Sequence, residues 1–188
     1  MTQTTTQIRN YGLIFLMVLS LLGVSSAQTS STPKPEEAFD AVASVLTHPR
    51  CLNCHQAQAP KQTDMGVRHT QGVVRGKDGK GAVGLSCNSC HQGGNSVDGR
   101  VPGAKHWQLA PLTMNWEGLS KADLCRQMKD PKRNGNRSGA QIVEHVATEP
   151  LVLWSWKPGA KRTVPPLSHA DFVAAVRMWA DQGLPCPS

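Results

Sequence analysis

One five-residue pattern occurs twice and constrains everything else about this chain. Cys51-Leu52-Asn53-Cys54-His55 and Cys87-Asn88-Ser89-Cys90-His91 both read C-x-x-C-H, and a glutamine follows each histidine. With six cysteines and seven histidines in 188 residues, chance would supply only about 0.007 such matches. Two thiols three residues apart on one turn can add to the two vinyl groups of a single haem, forming two thioethers. The next residue then carries its imidazole under the iron. The spacing therefore predicts two haem c groups, attached at Cys51, Cys54, Cys87 and Cys90, with His55 and His91 as proximal iron ligands.

Two other uses of the same residues compete. C-x-x-C, a gap of 32 residues and C-x-x-C would also suit a four-thiolate zinc ribbon. That leaves both histidines without a role. Disulfides within or between the motifs are the remaining alternative.

The N-terminus is consistent with assembly outside the cytoplasm, where haem c is attached. Residues 12–24 (GLIFLMVLSLLGV) are an apolar run preceded by Arg9, and Ser25-Ser26-Ala27 supplies small residues for cleavage. This predicts a signal peptide over 1–27, too short for a comfortable membrane span. An uncleaved anchor is the competing reading. No cysteine stands at the cut to carry a lipid, since the first is Cys51. A flexible linker is expected over 28–35, then one domain over 36–188. Within it, 36–116 forms the haem-attachment part and 117–188 a helical C-terminal part.

That domain has little with which to build a core. Beyond residue 27 the large apolar residues number 37 of 161, with one Ile, two Phe and no Tyr. Such a supply is close to the level at which ordering fails, so a cofactor or covalent staples are needed. Cys125 and Cys186 lack any metal spacing and are the only cysteines left over. In an oxidising compartment they are expected to pair, closing a loop of about 62 residues and stabilising by roughly 4 kcal/mol in the chain-entropy picture.

Helix signals flank the motifs. Residues 36–47 follow Pro35 with acids in the first turn, and Phe39, Val42, Val45 and Leu46 share a face. Ser120 with Asp123 opens 121–130, Ser138 with Gln141 opens 139–148, and Ser168 with Asp171 opens 169–182. In the last of these Phe172, Val176 and Trp179 form a stripe. Residues 151–167 read as a Pro/Gly loop carrying Trp154 and Trp156, tryptophans expected to pack rather than conduct. No strand pattern stands out. The fold class expected is all-α and loop-rich, a small dihaem cytochrome c-like fold.

The sixth iron position has several candidates. His69 lies 14 residues after His55, and His106 lies 15 after His91. Each motif is thus followed by one histidine at nearly the same interval, and both are candidate distal ligands. A solvated loop histidine is the alternative for His69. Met114, in an extended apolar loop between Pro111 and Trp116, is the alternative distal ligand, and His/Met ligation would raise one haem's potential. His48 is expected to end the preceding helix. His145 and His169 are expected on solvated helix faces.

At its two motifs the chain resembles the c-type cytochromes, specifically a small dihaem member. Wider stretches carry a closer likeness: His48-Pro49-Arg50 running into Cys51, PGAKHWQLAPLTMNW at 102–116, LCRQMKDPKRNG at 124–135 and EPLVLWSWKPGA at 149–160. Together they are similar to bacterial dihaem proteins often labelled a subunit of isoquinoline 1-oxidoreductase. The resemblance implies a periplasmic cytochrome working beside a molybdenum hydroxylase or another dehydrogenase. Nothing in the chain resembles a molybdopterin or iron–sulfur site, so hydroxylase chemistry would belong to the partner.

Charge narrows the partners. Losing Arg9 with the leader lowers the formal +7 to +6, and four haem propionates would bring it nearer +2. Basic residues gather at Arg126, Lys129, Lys132, Arg133 and Arg137, and at Lys157, Lys161 and Arg162. Such a face can steer an acidic redox partner; nucleic acid is implausible for an exported haem protein. Two classes of function follow: an electron carrier with both irons six-coordinate, and a peroxidase-like haem enzyme or ligand sensor with one open position.

Overall fold

The computed structural model describes residues 35–188; the expected leader over 1–27 and nearly all of the linker over 28–35 lie outside them. The described part is mostly helical, with very little strand. Helix α1 spans Pro35–Leu46, a single turn α2 spans Pro49–Leu52, and α3 spans Lys121–Lys129. Helix α4 covers Gly139–Thr148, α5 Pro150–Trp154 and α6 His169–Asp181.

The core is built by α1, α3, α4 and α6. Helix α6 packs against both α1 and α4, and α3 against α1. The apolar faces read from the sequence are the buried ones. Phe39, Val42, Val45 and Leu46 of α1 and Phe172, Val176 and Trp179 of α6 are all within 3 % of full burial. Phe39 and Trp179 meet at 5.0 Å between ring centroids. Each such side chain contributes about 1.5–3 kcal/mol by leaving water.

The helix starts follow their caps. Ser138 accepts from the Gln141 N–H while the Gln141 side chain accepts from the Ser138 N–H, closing a full capping box. Ser120 and Ser168 accept from the N–H of Asp123 and Asp171. Gly139 sits where α4 crosses α6, and a Cβ there would stand 3.3 Å from the Ala180 Cβ. Cys125, buried on α3, is disulfide-bonded to Cys186, with the sulfurs 2.04 Å apart. The bridge ties the C-terminal tail to α3, and Trp179 Nε1–H donates to Pro185 O beside it.

Three features depart from the sequence reading. Residues 150–154 are helical because Pro150 opens α5 at its first position, where a missing N–H costs nothing, instead of only stopping α4. Two very short antiparallel ladders occur, β1 (Lys61–Gln62) with β2 (Val67–Arg68) and β3 (Gly81–Ala82) with β4 (Leu85–Ser86). Two-residue strands are too short to show alternation. His48 begins α2 instead of ending α1: its Nδ1 accepts from the Arg50 N–H at 3.2 Å.

Between Asn53 and Gly118 the chain is loops and turns held by polar contacts. Arg162 donates to Gly99 O at 2.8 Å and to Arg100 O at 2.5 Å. Asn95 receives the Trp154 indole N–H at 2.8 Å and donates to Lys157 O at 2.9 Å. The segment after α4 thus clamps the loops that carry the second motif.

Candidate functional site

The two C-x-x-C-H segments fold into the same turn. In the first, the N–H groups of Cys54 and His55 both donate to Cys51 O, at 3.1 and 3.0 Å. In the second, those of Cys90 and His91 both donate to Cys87 O, at 3.2 and 2.9 Å. Helix α2 provides the first turn, and a 3₁₀ turn at Cys87–Ser89 provides the second. Each turn places two thiols and one imidazole on one short stretch of backbone.

The surroundings of the two imidazoles also repeat. His55 Nδ1 is 3.0 Å from Met114 O, and His91 Nδ1 is 2.7 Å from Pro102 O. His55 lies flat on Trp116, with centroids 3.4 Å apart and planes at 10°. His91 lies flat on Trp107, at 4.4 Å and 10°. A backbone carbonyl can only accept, so Nδ1 carries the proton in both rings and Nε2 keeps its lone pair. Burial pushes the His55 imidazole down to about 3, against the opposing bond to Met114. Burial likewise lowers His91, again against its carbonyl bond. Both rings are therefore neutral near pH 7, with one free nitrogen donor each.

Burial also governs the thiols. It pushes Cys51 up to about 12, with Cys54 adding to the rise. It pushes Cys54 up to about 11, opposed by Arg50 and reinforced by the nearby Cys87. Cys87 is raised by the same cause. None of the four motif cysteines is in a disulfide. Among the described residues no three His, Cys, Asp or Glu side chains gather as a cation needs.

A cavity of about 850 Å³ opens against the first motif. Cys51, Cys54 and His55 form one part of its wall, and His91 with Trp107 another. Met128 of α3, Ile142 and Val146 of α4 and Phe172 of α6 supply apolar surface from the helical core. The volume is in the upper range for a bound organic group. Buried N–H donors without acceptors cluster at this motif: Arg50 Nε, Gln56 Nε2, Arg75 Nε and Trp116 Nε1. Arg50 and Trp116 are themselves in the cavity wall. A buried donor left unpaired costs about 1–3 kcal/mol, so these four N–H groups are a local cost of this part of the fold. The Arg50 guanidinium is anchored by an ion pair to Asp64.

The candidate sixth ligands are distributed differently from the sequence reading. His69, at the base of the β1–β2 hairpin, stands beside His91, its ring centroid 6.0 Å away and its plane at 81°. His106 is largely exposed at the cavity rim, its Nδ1 2.8 Å from a Glu149 carboxylate oxygen. Its backbone has a positive φ of 60°, uncommon outside glycine. Met114 lines the cavity, but its own carbonyl sits behind the His55 ring at Nδ1, on the edge away from Nε2.

Two histidines expected on solvated faces are not there. His145 is half-buried and lines the cavity from α4, and burial lowers its basicity. Its helix turns a polar residue inward at that point, which a pattern of apolar residues does not register. His169 is 2.9 Å from Val146 O through Nε2 and meets Trp156 edge-on at 4.9 Å. Trp154 and Trp156 pack and hydrogen-bond through their indole N–H groups. No helix of the described residues is long and apolar enough to cross a membrane. Comparison of the chain with protein-family models, with curated proteins and with solved structures finds no match.

Proposed function

We propose that this chain is an exported dihaem c-type cytochrome that passes single electrons between a redox protein and the respiratory chain. The observation that carries this reading is the repeated arrangement under both motifs: a C-x-x-C-H turn, Nδ1 on a carbonyl, Nε2 free and a tryptophan against the ring. A proximal histidine needs those features, because the carbonyl fixes its tautomer and raises its basicity toward a metal.

The residues fit the group. Cys51 with Cys54, and Cys87 with Cys90, would each hold one haem as a thioether pair. Arg50, in the cavity wall beside Cys51, would place a cation near carboxylates of the propionate kind. An iron already held by four porphyrin nitrogens asks the protein for one or two ligands, and each motif offers one histidine. Each bound haem would supply reversible one-electron chemistry. The chain contributes fixed imidazole orientation, tryptophan walls that exclude water, and covalent retention despite a thin core.

The exposed Arg126, Lys129, Lys132 and Arg133 would favour an acidic redox partner, such as a periplasmic molybdenum hydroxylase or another dehydrogenase. The competing class is a haem enzyme or ligand sensor with one open iron position.

The test is the intact mass and visible spectrum of protein exported from a host with haem c maturation. Two haem masses retained under denaturation are expected. Colourless protein of apo mass, where a control cytochrome matures, overturns the reading. Carbon monoxide added to the reduced protein separates the classes: an unchanged spectrum supports the carrier, and rapid stoichiometric binding supports the enzyme or sensor.

A further inference from the structure

Resting on the dihaem reading, we infer that His69 and His91 would together hold one haem iron, so that the loop following the first motif would complete the second haem site. Sequence spacing points the other way, since His69 follows His55 by 14 residues and His91 precedes His106.

Three observations support the crossed pairing. The first is separation. An imidazole nitrogen on a first-row metal sits about 2 Å from it, which puts two rings on opposite sides of one metal about 6 Å apart, centre to centre. The His69 and His91 centroids are 6.0 Å apart. The second is which nitrogen each ring has free. His69 Nδ1 is 2.9 Å from Thr70 O and His91 Nδ1 is 2.7 Å from Pro102 O. Both rings therefore have Nδ1 occupied and Nε2 as the one nitrogen left for a metal. The third is anchoring. The His69 N–H donates to Pro60 O at 2.8 Å, directly beside the paired residues Lys61 and Arg68. The hairpin thus fixes where His69 stands, as a preformed ligand requires.

The other candidates for this iron lack that combination. His106 is turned to solvent and to Glu149. Met114 has its backbone at the first motif, where its carbonyl meets the His55 ring. Neighbouring histidines at this separation also occur as an ordinary edge contact, and the experiment distinguishes the two.

The test uses the exported, haem-loaded full chain with His69→Ala. Mass and spectrum first establish whether two haems are present; if none is, the dihaem reading fails and the ligand assignment is not what has been tested. With both haems attached, His69→Ala is expected to turn one low-spin haem high-spin by electron paramagnetic resonance. The reduced variant should bind one equivalent of carbon monoxide more than the unaltered protein, and added imidazole should restore the low-spin signal.

The site is assigned by repeating His69→Ala in two single-haem proteins. The spectrum should change where only Cys87 and Cys90 carry haem, and stay unchanged where only Cys51 and Cys54 do. Should the single-haem proteins fail to mature, histidine-labelled NMR of the intact dihaem variant reads the same point through the His91 ring resonances. An unchanged spin state in His69→Ala, a change that follows the Cys51–Cys54 haem, or the same opening produced by His106→Ala would overturn the inference and leave the dihaem reading standing.

Discussion

Asp64 shows how much at this site depends on residues outside the motifs. It holds the buried Arg50 guanidinium, which precedes Cys51 and stands in the cavity wall. Asp64→Asn leaves that cation without its counter-charge, and because the pair reaches the surface the expected loss is about 2 kcal/mol in urea unfolding. The pH dependence follows from the sign of its shift. Burial pushes the Asp64 carboxyl up, but Thr163 and Arg50 outweigh it and hold it below its usual range. The unfolded chain then takes up the proton first as pH falls. The contribution is present above the usual carboxylate pKa of about 4 and is lost as pH falls through the lowered folded-state value, so the gap between wild type and Asp64→Asn should narrow progressively below about pH 4. An undiminished gap there would remove Asp64's charge as the cause.

Gly103 is the corresponding point at the second motif. A Cβ there would stand 2.1 Å from Gly94 O, so Gly103→Ala must move the strand that presents Pro102 O to His91. A proximal imidazole without its Nδ1 partner is a weaker donor to ferric iron. Under the dihaem reading, one of two haem midpoints should rise in spectroelectrochemical titration while the other stays put; two unmoved midpoints would show the carbonyl to be incidental. Nothing in a linear sequence marks Pro102 O, Met114 O or the tryptophans as neighbours of the motif histidines. The motif cysteines and histidines are legible because they are adjacent in the chain; the carbonyls beside their imidazoles come from 11 and 59 residues away.

At the scale of elements, legibility tracks length and capping. Helix α4 lies where Ser138 and Gln141 place it, α3 and α6 each end one residue before the expected stop, and α1 is shifted by one residue toward the N-terminus. Ser138→Ala removes one half of a complete box and should cost about 1 kcal/mol in thermal or urea unfolding. No change would mean that packing of α4 against α6 alone fixes the helix start. The elements missed are α5 and the two-residue ladders, whose bonds depend on where distant loops bring the chain. His145 was missed for a related reason. Periodicity finds the face a helix turns to the apolar core, and α4 also lines a cavity with a polar residue.

For the whole molecule, the two halves of the described chain are held by different forces. Residues of α1, α3, α4 and α6 share one apolar cluster, and Cys125–Cys186 staples it. The loops between Asn53 and Gly118 add few buried apolar side chains: Ala104, Leu109 and Trp116. Met65, Val83, Val97 and Leu112 all lie in this stretch and all are exposed. Polar contacts between loops are worth about 1 kcal/mol each against the entropy of ordering some sixty residues, so the loops need something to fold around. Under the dihaem reading that something is attached at both motifs within this stretch. A variant with Cys51, Cys54, Cys87 and Cys90 all changed to alanine should keep most of its helical circular dichroism. Amides between 53 and 118 should lose hydrogen-exchange protection while those of α1, α4 and α6 retain theirs. Equal protection across both halves would show the loops to be self-sufficient, and the thin apolar supply would then need another explanation than a group that serves as core.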